Sequence, residues 1–216
     1  MGKRLMSDLD ETLLAGANLL SFARNVEPGL RQDVQDCLHH AKLVADDQHS
    51  PRMAWRSWLD AYQQAILATG GRRSAVINDV RLSIHSFRDI GKLQLPMVNN
   101  SVELRRLYRS SLDRLLSSDH AKTFFSSWFT SGRSESFQLM PCAMHSEDEV
   151  MILLCSLQMT TIASRPALYF WQILGGEMQV HAVGTAFRFS RKSFEPFRQT
   201  VQDMLADRAA AEIINL

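Results

Sequence analysis

The densest group of side chains with donor atoms suited to chemistry is Asp36, His39, His40, Asp46, Asp47 and His49. On a helix, Asp36 and His40 lie one turn apart and His40 and Asp47 two turns apart, so carboxylates and imidazoles share a face. A zinc-like ion needs three or four such ligands converging, and the spacing matches neither H-E-x-x-H nor a Cys/His zinc pattern. A solvated helix face is the simpler account, and no metal or cofactor is expected.

Cys37 stands three residues before His40, within reach of a thiolate–imidazole pair. It also falls on the apolar stripe of that segment, where a thiol is normally inert packing. His145, Glu147 and Asp148 cluster at a predicted hairpin turn, where short polar residues form turns. His181 falls on a predicted strand. No phosphate-binding, dinucleotide-binding or nucleophile-elbow glycine motif occurs, so no catalytic residue is assigned. Gly70-Gly71-Arg72-Arg73 before a predicted helix makes Arg72 and Arg73 a weak anion candidate.

Basic residues gather between Arg81 and Arg114, and Phe187-Arg188-Phe189 interleaves cations with aromatic rings, a pattern able to stack bases. The RRM signature is missing, however, and from residue 135 onward 9 acids face 6 bases. With 24 Lys+Arg against 23 Asp+Glu, nucleic acid is not favoured as a partner. This near-balance hides an asymmetry, a mildly basic first half and a mildly acidic second half, which favours association within or between chains.

The elements that must position these residues follow from periodicity. The 216 residues are 45% hydrophobic with 10 Gly and 6 Pro, which excludes disordered and collagen-like classes. Leu9, Leu13, Ala17 and Leu20 form a helical stripe after a Ser7 cap. Leu30, Val34, Cys37, Leu38, Ala41 and Ala45 form a second, and Trp55, Trp58, Tyr62 and Ile66 a third, ended by Gly70-Gly71. Val76, Val80, Ile84 and Phe87 predict a fourth helix, and Val102 to Leu116 a fifth. The aromatic run Phe124–Phe129 closes this half.

Residues 136–144, 149–162, 167–174 and 178–189 then read as strands of an antiparallel meander, and Ser193 caps a closing helix. The fold class is therefore α+β: a bundle-like N-terminal half (1–132) packed on a four-stranded meander plus C-terminal helix (133–216), as one compact unit.

Two of these strands are apolar on both faces: Val150, Ile152 and Leu154 against Met151, Leu153 and Cys155, and Leu168 and Phe170 against Trp171 and Ile173. A half-exposed strand alternates apolar with polar, so helices must cover both faces or one face meets a partner. Membrane-barrel strands also alternate, which weighs against a barrel.

Cys37, Cys142 and Cys155 give no disulfide framework and fit a reducing compartment; a Cys142–Cys155 bond is conceivable across a hairpin. No signal-peptide pattern is present, and the apolar runs are far short of a membrane span. The expected location is the cytoplasm, and signal-independent export is equally compatible.

Asp33–Asp46, the Trp55/Trp58/Tyr62 group and the tail from Phe137 to Leu216 resemble a protein group in which a helical N-terminal half precedes a β-meander and a terminal helix. The resemblance implies that architecture and no activity.

The function expected on these grounds is non-catalytic interaction or self-assembly, with a protein partner or homo-oligomer. Its candidate interface is an apolar sheet face built from Leu168, Phe170, Trp171, Met151 and Leu153. A membrane-active or toxin-like protein is the alternative, and an enzyme lacking a familiar motif comes third.

Overall fold

The computed structural model describes residues 10–15, 17–92, 101–119, 134–161, 167–169, 172–174, 178–206 and 213–215. Three predicted helices stand: α1 (Pro28–Gln48), with proline in its first turn, α2 (Trp55–Ala68) and α3 (Val102–Ser117), capped by the Ser101 hydroxyl. A capping box at Ser190 and Ser193 opens a helical turn, Arg191–Phe194, that leads into α4 (Arg198–Ala206).

The expected five-helix bundle on a four-stranded meander is corrected. The core is a seven-stranded mixed sheet in the order β3-β8-β5-β4-β2-β1-β9. Its strands are β1 (Glu11–Ala15), β2 (Asn18–Phe22), β3 (Arg72–Ile84), β4 (Ser134–Met144), β5 (Glu149–Thr161), β8 (Met178–Ser190) and β9 (Ile213–Asn215). Residues 167–174 form not one meander strand but β6 (Ala167–Tyr169) and β7 (Gln172–Leu174), a separate two-stranded sheet. The β2–β4 pairing is parallel and the other pairings are antiparallel.

Both misread helices have a physical explanation. Leu13-Leu14 and Leu19-Leu20 are adjacent apolar pairs, and in the β1–β2 hairpin each pair sends one side chain to each face of the sheet (Leu13↔Leu20, Leu14↔Leu19). Adjacent pairs also fit a helical stripe, so periodicity alone does not separate the two. In β3 the register shifts between Arg73 and Ala75 and between Ile77 and Val80. Each irregularity adds a residue to the period-2 alternation, and the result imitates helical spacing. The β-branched Val76, Ile77, Val80 and Ile84 nevertheless suit a strand. Gly70 (φ 95°) turns the chain from α2 into β3, and a Cβ there would lie 2.2 Å from the Ser193 carbonyl oxygen.

Two hydrophobic cores sit on the two faces of the sheet. On face 1, Leu20, Phe22, Met140, Cys142, Val150, Ile152, Leu154, Phe187 and Phe189 pack under α1, α2 and Val201 of α4. On face 2, Leu14, Leu19, Phe137, Leu139, Leu153, Cys155, Leu157, Met159, Val180 and Ala182 pack under Tyr108, Leu112 and Leu115 of α3 and under Ile90. Ile90 lies on the 3-10 turn Phe87–Lys92. Cys142 and Cys155 belong to opposite faces, and all three cysteines are free thiols; the conceivable Cys142–Cys155 bond is not formed.

Candidate functional site

The cover of face 1 is anchored through the interior. Trp55 Nε1 of α2 donates to Ser156 Oγ of β5 (2.8 Å), and Thr185 Oγ1 of β8 donates to Gln63 Oε1 of α2 (2.7 Å). The Trp58 indole donates to Asp46 Oδ1 (2.8 Å), locking α2 to α1. Asp33, buried on α1, accepts from Arg198 Nη2 (3.0 Å) and Arg191 Nε (3.3 Å), tying the C-terminal helices down. Arg31, also buried, donates to the carbonyls of Val26 (2.8 Å) and Ala23 (3.3 Å) and pairs with Glu11 (3.0 Å). Asp33 precedes Cys37 by one helical turn; a charge on an apolar stripe was the available sequence signal for this anchor.

The cover of face 2 is held differently. Among the described residues, α3 meets the central strands through apolar side chains, and its polar ties run to Asp10 at its margin and to the Ile90 carbonyl. Arg106 grips Asp10 with both terminal nitrogens (2.5 and 3.1 Å) and also Glu103 (2.7 Å), while Arg114 Nη1 donates to the Asp10 carbonyl (2.9 Å). Hydrogen bonding from Arg106 is the main reason that the Asp10 carboxyl lies below its ordinary pKa. The Tyr108 hydroxyl donates to the Ile90 carbonyl (3.0 Å), joining α3 to the 3-10 turn.

Face 2 has a pattern that the sequence concealed. In one stretch of each of four adjacent strands the residues alternate apolar on face 2 with polar on face 1, while the remaining parts of β4, β5 and β8 are apolar on face 1 as well. In β3, Val80, Leu82 and Ile84 alternate with Asp79, Arg81 and Ser83; in β8, Met178, Val180 and Ala182 alternate with Gln179 and His181. In β5, Leu157 and Met159 alternate with Ser156, Gln158 and Thr160; in β4, Phe137 and Leu139 alternate with Ser136 and Gln138. The register aligns these positions across the sheet (Leu82↔Val180↔Met159, Phe137↔Leu157↔Ala182).

The residues singled out in the sequence are placed as follows. Leu153 is fully buried on face 2 beneath the chain's own cover, and Met151 is half-buried. Leu168 lies in β6, and Phe170, Trp171 and the Phe124–Phe129 run lie outside the described residues. Arg72 and Arg73 are exposed on β3 rather than at a helix start, and Arg72 pairs with Glu149. Cys37 contacts the Thr69 hydroxyl (3.2 Å), and burial pushes its thiol pKa up to about 12. Burial also lowers the pKa values of His39 and His40. No three His, Cys, Asp or Glu side chains among the described residues converge on a common metal position. His181 pairs with Asp79 and packs against the Trp55 ring at 5.1 Å. Phe187 and Phe189 are core residues, which leaves neither ring open for base stacking. Among the described residues, no helix is long and apolar enough to cross a membrane.

No family model and no curated protein matches the chain. Among solved structures it is similar to the activated Cyt2Ba monomer from Bacillus thuringiensis subsp. israelensis, with 10% identity, coverage of 78% of this chain and 95% of that one, and a TM-score of 0.46. It is similar to a delta-endotoxin, with 10% identity, coverage of 82% and 84%, and a TM-score of 0.45. It is also similar to the Evf virulence factor, with 12% identity, coverage of 86% and 77%, and a TM-score of 0.40. Similarity of this order fixes neither fold detail nor activity.

Proposed function

We propose that this is a membrane-active protein that presents face 2 of its sheet to lipid once α3 moves aside. One observation carries the reading: over part of β3, β8, β5 and β4 the residues alternate apolar on face 2 with mostly polar on face 1, and the apolar side lies under α3, which the described residues tie to Asp10 and to the Ile90 carbonyl. Alternation of this kind is the signature of strands with lipid on one side and water on the other. Moving α3 aside breaks its bonds to Asp10 and to the Ile90 carbonyl and otherwise takes apolar side chains off the strands among the described residues. Lifting α2 from face 1 breaks the bond from Trp55 to Ser156 and the bond from Thr185 to Gln63 in the interior, which is costly.

The test is dye release from neutral and anionic phospholipid vesicles between pH 4 and pH 8. Release by the wild type, faster for Arg106→Ala, supports the reading. Background release by both proteins across all conditions removes it.

A second reading, self-assembly, is favoured by the β3 edge. This 13-residue strand ends the sheet order, and Val76 on it is 59% exposed. Long open edges pair with further chains. A second copy adding at β3 accounts for the homo-oligomer expected above. Sedimentation showing only monomer at high concentration, with and without vesicles, removes it.

A further inference from the structure

A cavity of about 320 Å³ lies on face 1 between the β1–β2–β4 side of the sheet and α1, with Leu205 of α4 in its wall. Its body is apolar, formed by Leu13, Leu20, Leu38, Met140 and Leu205. Asn18 and Tyr62 add polar atoms to the lining, and both side chains are more than nine-tenths buried. Asn18 Nδ2 donates to the Ala15 carbonyl (3.2 Å), which closes the β1–β2 turn and fixes the orientation of the amide. Asn18 Oδ1 is buried and accepts no hydrogen bond. Native chains rarely leave such an acceptor unpaired.

The Tyr62 hydroxyl spends its proton on Met140 Sδ (3.4 Å), so its oxygen also remains an acceptor. Two charged side chains in the lining are already engaged, Asp36 by Gln32 (2.8 Å) and Lys42 by Asp46 (2.5 Å). The lining therefore combines apolar walls and these two acceptors with the polar side chains of Gln32, Gln35 and His39 on α1.

We propose that this cavity binds a neutral, mainly aliphatic molecule with one hydroxyl that donates to Asn18 Oδ1. At roughly 30 Å³ per water-sized group, the volume holds about ten heavy atoms. The site lies on the face opposite α3 and does not depend on the membrane reading.

Calorimetric titration of the full chain with 1-nonanol tests the proposal against methyl octyl ether, which has the same heavy-atom count and no donor. Saturable one-to-one binding of nonanol, about tenfold tighter than the ether, is expected from one hydrogen bond. Asn18→Leu removes that preference, and Gln35→Trp, which fills the cavity from α1, abolishes binding of both. The proposal is overturned if nonanol shows no saturable binding, if the ether binds equally well to the wild type, or if the preference survives Asn18→Leu. Should Asn18→Leu not fold, undiminished nonanol binding by Gln35→Trp overturns it instead.

Discussion

The two faces of one sheet are covered in opposite ways. On face 1 the helices are fixed by hydrogen bonds that run through the interior, from Trp55 to Ser156 and from Thr185 to Gln63, and by ion pairs at Asp33. On face 2, α3 rests on the strands through apolar side chains, and its described polar ties are the clip at Asp10 and the bond from Tyr108 to the Ile90 carbonyl. Interior bonds specify one docking geometry and make separation costly, because each broken pair leaves a buried polar group. An apolar contact held by fewer polar ties separates mainly at the cost of exposed area. The contrast is what the proposed release of face 2 rests on.

The largest effects test whether both cores carry the fold. Phe187→Ala on face 1 is expected to cost about 4 kcal/mol and Leu157→Ala on face 2 about 3 kcal/mol by urea denaturation, since each empties a fully buried site. A cost below about 1 kcal/mol for Leu157→Ala would show that face 2 is not packed as described.

Removing the anchor at Asp33 comes next. Asp33→Ala leaves Arg198 and Arg191 without their shared carboxylate and is expected to cost about 3 kcal/mol. It should also open the Val201 region to protease; a wild-type cleavage pattern would break the assignment of Asp33 as the tie for α4.

The clip on α3 is weaker. Asp10→Asn is expected to cost about 1 kcal/mol at pH 7. Because the folded-state pKa of Asp10 lies below the ordinary 3.8, its contribution is complete above that value and is lost as pH falls through the lower folded-state value. The stability difference between wild type and Asp10→Asn should therefore shrink only below about pH 4. A difference that already fades near pH 6 would place the responsible proton on another group.

The smallest effect is expected at the exposed Arg56–Asp79 pair (3.1 Å): Arg56→Ala should change stability by no more than about 0.5 kcal/mol. A larger loss would mean that Arg56 supports the Trp55 ring, which its guanidinium approaches at 5.8 Å.

Much of the frame was legible in the residues. The stripes of α1, α2 and α3 and the β-rich runs of β4, β5 and β8 stand where periodicity puts them, because each is long enough for its period to dominate. The β1–β2 hairpin was illegible because Leu13-Leu14 and Leu19-Leu20 satisfy both periods, and β3 because its register shifts scramble the alternation. That second miss also hid the apolar–polar alternation of Asp79 to Ile84, which becomes visible only once these residues align with those of β8. The cavity had no sequence signal: Asn18 falls within the stretch read as a helix, and the cavity exists only because α1 and the sheet close around it.

The sequence by itself determined which segments carry apolar stripes, that the chain mixes helix with sheet, and that β5 needs apolar company on both faces. Local side-chain pattern suffices for that, because burial acts residue by residue. Only the tertiary structure decided that strands from both halves of the chain share one seven-stranded sheet, that Asp10 and Asp33 anchor different covers, and that α2 bonds directly to the strands of face 1 while α3 meets those of face 2 through apolar side chains. These features depend on residues far apart in the chain meeting in space, and such meetings leave no periodic trace.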